Sequence, residues 1–281
     1  MSILWLGEPG CHDPAVVGGK AANLSRLAAA HRVPPGFCLT ATGAAEDGDG
    51  APAALCATLA VAYRDLGARC RTAAPAVAVR SSAVDEDGLD ASFAGQHATY
   101  LNVIGCDALA AAVARCRASL WSTRALAYRR EQGLARGDAR LAVLVQQLVA
   151  ADVSAVAFST DPLTGKRDAV VINASWGLGE SIVGGTVTPD TYVVDKASLA
   201  VVSRRLGAKE RMTVLAADGT REVAVPRALR GQPALDDTRA GALARLTVAL
   251  ELALGRPVDV ECAFQGDRLY LLQCRPITTL G

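Results

Sequence analysis

The stretch VDVECAFQGDRLYLLQCR, residues 258–275, predicts two β-strands joined by a short turn. Side chains alternate along a strand, so Asp259 and Glu261 share one face of the first strand. Gln273 and Arg275 likewise share one face of the return strand. Each strand therefore has one polar and one apolar face. The residues expected on the apolar faces are Val258, Val260, Cys262 and Phe264 on the first strand, and Tyr270, Leu272 and Cys274 on the second.

The polar faces of the two strands can form a single site. Glu261 stands opposite Gln273 only if the hairpin is centred on Asp267, which predicts a loop of three or five residues, and Gly266 suits such a loop. Oxygen atoms of Glu261, Gln273 and Asp259 would then suit Mg²⁺, with phosphate groups and water as the remaining ligands. A polar sheet surface that simply faces solvent would show the same alternation.

Two segments earlier in the chain have the composition of phosphate-binding sites. Gly18-Gly19-Lys20 opens a predicted helix, and N–H groups at a helix N-terminus attract phosphate oxygens when an ammonium group is near. Ala21 follows the lysine, so the segment is not a Walker loop, and a tight turn with a solvated lysine is the alternative. Arg80 ends a short apolar strand, where its guanidinium can bind phosphate or pair with the acidic residues at 85–87.

Two further turns are rich in glycine and other small residues. Residues 92–96, SFAGQ, would allow a ligand to approach the backbone closely, although an ordinary flexible turn has the same composition. Residues 175–180, SWGLGE, follow a predicted strand. No βαβ unit surrounds this second turn, which argues against a dinucleotide-binding site.

The composition restricts the class of protein. The 281 residues are 51% hydrophobic and 20% charged with a net charge of +1, which argues against a disordered chain and against nucleic-acid or anionic-membrane binding. There is no visible secretory signal, no membrane-length apolar run and no metal-binding spacing among the eight cysteines. We therefore expect a cytoplasmic protein with reduced, mostly buried thiols. Helix and strand signals alternate, with helices predicted at 19–30, 55–69, 108–132 and 238–254.

Taken in order, these segments resemble the ATP-binding domain of the pyruvate phosphate dikinase and phosphoenolpyruvate synthase group, which includes rifampin phosphotransferase. The resemblance covers nearly the whole chain, and it depends on the ordered series rather than on any single motif. The matching stretches are 18–24, 33–37, 79–83, 90–96, 99–103, 121–125, 145–149, 161–165, 177–180, 259–261 and 272–276.

The resemblance implies an α+β fold of the ATP-grasp type, with ATP held between an N-terminal lobe at 1–145 and a C-terminal lobe at 146–281. It also implies that ATP is cleaved to AMP, that the β-phosphate passes to a histidine on a separate swivelling domain, and that the γ-phosphate is released. The catalytic residues that grip the phosphates would be Lys20, Arg80 and Arg275. The loop over the phosphates would contain Gly95 and Thr99, Gln146 would border the adenine pocket, and Glu261 and Gln273 would bind Mg²⁺, joined by Asp259 from the same strand face.

The chain also departs from the family pattern. It stops at Gly281, where family members continue into a phosphohistidine domain, and none of His12, His31 and His97 has the sequence context of a carrier histidine. We therefore expect either a histidine-bearing partner protein or a longer parent protein. Ala98 stands where relatives usually carry an acidic residue. A catalytically silent nucleotide-binding module and an ADP-forming ligase are the alternative functions, and pyruvate, an antibiotic hydroxyl and a biosynthetic intermediate are all open as the final acceptor.

Overall fold

The computed structural model describes residues 2–42, 53–84, 98–123 and 140–277. The chain divides into two compact units, Met1–Leu148 with Ala217–Gly219, and Val149–Ala216 with Thr220–Gly281. Each unit combines an antiparallel sheet with helices, so the α+β class predicted from the sequence is confirmed. Within the described ranges, no helix is both long and apolar enough to cross a membrane.

The first unit is built on a five-stranded sheet. Its strands are β1 (Ile3–Trp5), β2 (Gly36–Thr42), β3 (Val77–Ala83), β4 (Thr99–Val103) and β5 (Leu141–Gln147), and its helices are α1 (Pro14–Leu27), α2 (Ala53–Cys70) and α3 (Cys106–Ala118). Two 3₁₀ helices cover Pro9–His12 and Ser119–Trp121. The strand order is β1-β2-β5-β3-β4, and every neighbouring pair is antiparallel.

Helix α1 begins earlier than the sequence predicted. Asp13 caps it by accepting a hydrogen bond from the backbone N–H of Ala15 at 2.9 Å, and Pro14 fits the first helical position because it needs no donor there. Gly18 interrupts the helix with a φ of 74°, and the helix ends at Leu27. The predicted start at Gly19 is therefore the first helical residue after this break.

The predicted helix over 108–132 is not continuous. Helix α3 ends at Ala118 and passes into the 3₁₀ turn Ser119–Trp121, while residues 124–139 lie outside the described part of the chain. In contrast, α2 agrees with its predicted range. Helices α2 and α3 pack apolar side chains such as Leu59, Leu66 and Leu109 on the sheet residues Phe37 and Val143, all of them almost fully buried. Burial of each such side chain contributes roughly 1.5–3 kcal/mol to the stability of the folded state.

The second unit contains a six-stranded sheet and a separate two-stranded hairpin. The strands are β6 (Val153–Phe158), β7 (Ala169–Trp176), β8 (Asp190–Asp195), β9 (Val201–Arg205), β10 (Arg211–Leu215), β11 (Thr220–Ala224), β12 (Val258–Gln265) and β13 (Arg268–Pro276). The helices are α4 (Glu180–Val183), α5 (Arg227–Arg230) and α6 (Asp237–Leu254). The large sheet has the order β13-β12-β6-β7-β8-β9, while β10 pairs with β11.

The two faces of the large sheet have different surroundings. The neighbouring residues Val260, Ala157, Ile172 and Tyr192 form a fully buried row across four strands, and the Tyr192 hydroxyl accepts a hydrogen bond from the N–H of Leu235, just before α6. This face is the one that α6 covers. The adjacent row runs through Glu261, Val156, Asn173 and Thr191, which are only half-buried. The acidic residues of β12 thus lie on the less covered face.

Candidate functional site

The two strands β12 and β13, here called the acidic hairpin, bring the predicted metal-binding residues together. Glu261 pairs with Gln273, and Asp259 pairs with Arg275, so the cross-strand pairing expected from the sequence is confirmed. Residues paired in this way share one face of a sheet with Cβ atoms about 5 Å apart. Four polar side chains are therefore grouped on the less covered face of the sheet.

The loop of this hairpin is shorter than predicted. Gln265 pairs with Arg268, which leaves a turn of two residues, Gly266 and Asp267, instead of three or five. The register shifts between Glu261 and Cys262. A bulge on β13 takes up the extra residue, because two residues of one strand then oppose one residue of the other. The prediction was wrong because it assumed a regular ladder.

The bulge also changes the alternation along β13. Cys262 pairs with Leu271 rather than with Leu272, and Leu271 and Cys274 are the buried apolar residues of this strand. Leu272 and Tyr270 are only half-buried. The prediction that Tyr270, Leu272 and Cys274 share the apolar face is therefore wrong for the first two residues, because regular alternation fails at a bulge.

Asp259 and Arg275 form an ion pair within the acidic hairpin. The Arg275 Nη2 lies 2.7 Å and the Nε 2.8 Å from the same Asp259 carboxylate oxygen, Oδ2. Asp259 is buried, and this burial raises the pKa of its carboxyl group, while Arg275 acts to lower that pKa and Glu261 to raise it. The other oxygen, Oδ1, is buried and has no hydrogen-bond partner in the described structure.

These residues suit a hard divalent cation such as Mg²⁺. An unpaired buried carboxylate oxygen is costly, and a bound cation would satisfy it. The Glu261 carboxylate and the Gln273 amide oxygen lie on the same face, and oxygen is the ligand that Mg²⁺ prefers. Among the described residues, no group of three or more His, Cys, Asp or Glu side chains could hold a metal by itself. A cation here would therefore take part of its ligand shell from a bound anion and water.

In the first unit, a glycine turn places Lys20 beside β3. The backbone of Gly18 lies so close to Ser82 that a Cβ atom at Gly18 would be 2.3 Å from the Ser82 carbonyl oxygen. The backbone N–H of Ala21 donates to Ser82 Oγ at 3.2 Å, and the Lys20 Nζ donates to the carbonyl oxygen of Ser81 at 3.2 Å. The ammonium group of Lys20 is thereby held near the residue that follows Arg80.

Arg80 and Thr99 are neighbours on the paired strands β3 and β4. They are cross-strand partners, with Arg80 half-buried and Thr99 exposed. The N–H of Ser81 donates to the carbonyl oxygen of Ala98 at 3.1 Å, which continues the pairing beyond Thr99. Lys20, Arg80 and Thr99, here called the cationic cluster, therefore lie beside the middle of β3 and the start of β4. The strand continues to Ala83, so the prediction that it ends at Arg80 is wrong. Gly95 and the acidic residues at 85–87 lie outside the described residues.

Gln146 lies in the interior of the first unit. Its side chain is 2% exposed, and its Nε2 donates to the carbonyl oxygen of Pro34 at 3.2 Å. On β5 it pairs with Gly36 on one side and Ala78 on the other. The amide thus ties β5 to the segment before β2, and a role beside adenine stays a prediction.

No role was predicted for Ser82 or for the turn at 177–180. The Gly18 turn packs against Ser82. In the sequence, only the small size of the residue after Arg80-Ser81 indicated such a contact. Gly177, with a φ of 77°, packs against the Thr213 carbonyl oxygen, which a Cβ atom would approach to 2.4 Å. The Ser154 hydroxyl donates to the Gly177 carbonyl oxygen at 2.8 Å. This glycine-rich turn joins β10 to the large sheet.

Comparison with known proteins gives a consistent assignment. The chain is 37% identical to a probable phosphoenolpyruvate synthase of Methanocaldococcus jannaschii, over 99% of this chain and 27% of that protein. It is 38% identical to a rifampicin phosphotransferase of Streptomyces sviceus, over 99% of this chain and 36% of that protein. The chain thus spans about a third of the length of these relatives. Among solved structures, D-alanine–D-alanine ligase from Bacillus anthracis matches 97% of this chain and 59% of its own at 10% identity, with a TM-score of 0.41, too low to support an inference.

The family resemblance predicted from the ordered motifs is confirmed by a direct match. The model of the family described as pyruvate phosphate dikinase, AMP/ATP-binding domain, matches residues 49–281. This range contains the acidic hairpin and two of the three residues of the cationic cluster. Because the match covers most of the chain, the chain belongs to the pyruvate phosphate dikinase AMP/ATP-binding domain family.

Proposed function

We propose that the chain binds Mg-ATP in an ATP-grasp arrangement and acts as the phosphate donor of a dikinase-type phosphotransferase. In this reaction ATP is cleaved to AMP, the β-phosphoryl group passes to a histidine on a separate domain or protein, and the γ-phosphoryl group passes to water and is released as phosphate. The observation that carries the proposal is the acidic hairpin, where Asp259 Oδ1 is buried beside Glu261 and Gln273 and has no hydrogen-bond partner among the described residues. Family membership supports nucleotide binding by this domain.

In the acidic hairpin, some residues would bind the metal and another would bind phosphate. Glu261, Gln273 and Asp259 Oδ1 would hold Mg²⁺, which when bound neutralises phosphate charge. Arg275 pairs with Asp259 Oδ2, and its side chain is partly exposed, so its guanidinium would bind phosphate oxygens beside the metal. The ion pair would therefore orient both groups before the nucleotide arrives.

The cationic cluster would provide metal-independent contacts to phosphate. The Lys20 ammonium and the Arg80 guanidinium are the charged donors, and the exposed Thr99 hydroxyl is a neutral one. Fixed donors of this kind stabilise charge on a transferring phosphoryl group without needing to reorganise. Gly95 would complete the loop over the phosphates, and Gln146 would border the adenine ring.

A separate histidine-bearing domain or protein would complete the cycle. The chain spans about a third of its relatives, which leaves room in those proteins for a carrier and an acceptor domain. By analogy with their names, the acceptor would be pyruvate or an antibiotic hydroxyl, and an intermediate of another biosynthesis is a further candidate. We expect this reaction to take place in the cytoplasm.

The decisive experiment identifies the products and follows the label. The chain is incubated with Mg²⁺, a histidine-carrier domain from a relative, and ATP labelled at either the β- or the γ-phosphate. We expect AMP, acid-labile β-label on the carrier and free γ-phosphate, all of them lost in Glu261→Ala. Formation of ADP would indicate a ligase-type reaction instead. Metal-dependent ATP binding without turnover, even with carriers from several relatives, would indicate a silent nucleotide-binding module.

A further inference from the structure

A buried hydroxyl braces the start of the acidic hairpin. Ser159 directly follows β6 and is fully buried. Its Oγ accepts a hydrogen bond from the N–H of Val258 at 2.8 Å, and the N–H of Ser159 donates to the Val258 carbonyl oxygen at 2.9 Å. The regular pairing of β12 with β6 ends at Asp259 and Phe158. Ser159 therefore extends the pairing of β6 with β12 by one residue, to Val258, the position just before Asp259.

The same hydroxyl is anchored on its other side by a carboxylate. Ser159 Oγ donates to Glu251 Oε1 at 3.0 Å, and the second oxygen, Oε2, pairs with Lys196 Nζ at 2.5 Å. The side chains of Glu251 and Lys196 are 19% and 17% exposed. A mostly buried carboxylate with a different partner on each oxygen is restricted to one orientation. Glu251 lies near the end of α6, and Lys196 directly follows β8.

We infer that Ser159, Glu251 and Lys196 form a positioning relay for the Asp259 carboxylate, an inference that rests on the proposed metal-binding function. Arg275 holds Asp259 Oδ2, so the direction of Oδ1 depends on the backbone at Val258 and Asp259. The relay fixes this backbone from three elements, β6, α6 and β8. Partners outside the ligand shell orient metal ligands, and their loss typically costs 10- to 100-fold in metal affinity.

A relay of this kind differs from an ordinary structural brace in what its removal changes. A brace would lower stability, or weaken nucleotide binding equally with and without metal. A positioning relay would weaken only the part of nucleotide binding that depends on the metal. The useful quantity is therefore the metal gain, defined as the Kd of a non-hydrolysable ATP analogue without Mg²⁺ divided by its Kd with Mg²⁺.

The test compares Ser159→Ala with two matched variants. Ser159→Thr keeps the hydroxyl, and Ser154→Ala removes another buried hydroxyl of β6, one that donates to a backbone carbonyl at the other end of the strand. By calorimetry we expect Ser159→Ala to lower the metal gain roughly tenfold or more, with the metal-free Kd unchanged. Ser159→Thr and Ser154→Ala should keep the metal gain. Glu251→Gln, which retains an acceptor for Ser159 but loses the charge partner of Lys196, should lower it to a smaller extent.

The outcomes distinguish a failure of the relay from a failure of the proposed metal-binding function. An unchanged metal gain in Ser159→Ala, or an equal loss in Ser154→Ala, would overturn the relay while leaving the proposed function intact. A parallel loss of affinity with and without Mg²⁺ would also overturn it, because that is the behaviour of a brace. If the wild-type chain shows no metal gain, the proposed function fails, and the relay fails with it. If Ser159→Ala does not fold, Glu251→Gln decides by the same criterion.

Discussion

The cationic cluster and the acidic hairpin assemble charged side chains in different ways. The hairpin gathers Asp259, Glu261, Gln273 and Arg275 from two strands that are adjacent in sequence, and cross-strand pairing alone places them together. The cationic cluster takes its members from positions 20, 80 and 99, and backbone contacts made by Gly18 and Ser82 bring the first of them to β3. One site therefore depends on strand register, and the other on the close docking of a turn against a strand.

This difference determines where each site is vulnerable. In the hairpin, the turn at Gly266 has open space around it, and both residues of the ion pair, Asp259 and Arg275, lie at least seven residues from the turn. In the cationic cluster, the backbone of Gly18 itself packs against β3, and Gly18 is buried with a positive φ. We therefore expect the first unit to be sensitive at its turn and the second unit to be sensitive at its side chains.

The largest expected effect is that of Gly18→Ala on the stability of the first unit. A side chain at a φ of 74° is strained, and the new Cβ would lie 2.3 Å from the backbone oxygen of Ser82, which cannot move away without disturbing β3. We expect a loss of roughly 3 kcal/mol or more in the free energy of unfolding, measured by denaturant titration. Metal-free nucleotide affinity should fall as well, since Lys20 would be displaced.

Gly105→Ala is the matched control for this variant. Gly105 also has a positive φ, of 88°, but a Cβ atom there would meet no atom within 4 Å. It should therefore cost about 1–3 kcal/mol, from backbone strain alone, and less than Gly18→Ala. Equal losses in the two variants would mean that the docking of Gly18 on Ser82 contributes nothing beyond the backbone conformation, and the contrast between the two sites would disappear.

The next largest effect is that of Glu261→Ala on metal-dependent binding. Loss of a hydrogen-bond partner of a metal ligand typically lowers metal affinity roughly 10- to 100-fold. Removing a proposed ligand itself should lower Mg-ATP affinity by at least as much, while metal-free affinity and stability stay nearly unchanged. Calorimetric titration with and without Mg²⁺ measures both affinities. Glu222→Ala is the control, because Glu222 is a carboxylate of the same unit that pairs with Arg211 at the surface. Unaltered Mg-ATP binding in Glu261→Ala would show that the hairpin is not the metal site.

The contrast between the two sites also explains what the sequence can predict. Alternation along β12 predicted that Asp259 and Glu261 share a face, because the side-chain period of a strand is local. The expected pairing of Glu261 with Gln273 is present, but a two-residue turn and a bulge produce it instead of the longer loop that was predicted. It did not predict the bulge beside Cys262, since a bulge leaves no mark in residue type. The docking of Gly18 on Ser82 joins positions 64 residues apart, and no periodic pattern reports such a contact. The hydrogen bonds of Ser159 were missed for the same reason.

A smaller effect is expected for Lys20→Ala, and it should be independent of metal. The Lys20 ammonium would contribute one charged hydrogen bond to phosphate, so its loss should cost about 1.5 kcal/mol, or roughly tenfold in affinity, both with Mg²⁺ and in EDTA. Lys166→Ala is the control, because Lys166 is exposed and belongs to neither site. A loss confined to the Mg²⁺ titration would mean that Lys20 acts through the metal, and the division of labour between the two sites would be wrong.

The smallest effect is expected at the turn of the acidic hairpin. Gly266 has a φ of 56°, so Gly266→Ala introduces strain, but the new Cβ would have no atom within 4 Å. We expect a loss of about 1 kcal/mol in the free energy of unfolding, and a smaller one for Gly266→Asn, because Asn tolerates positive φ better than Ala. The metal gain should not change in either variant, since the paired residues lie beyond the bulge. If Gly266→Ala proved as damaging as Gly18→Ala, register would depend on the turn, and the hairpin would belong to the same class of site as the cationic cluster.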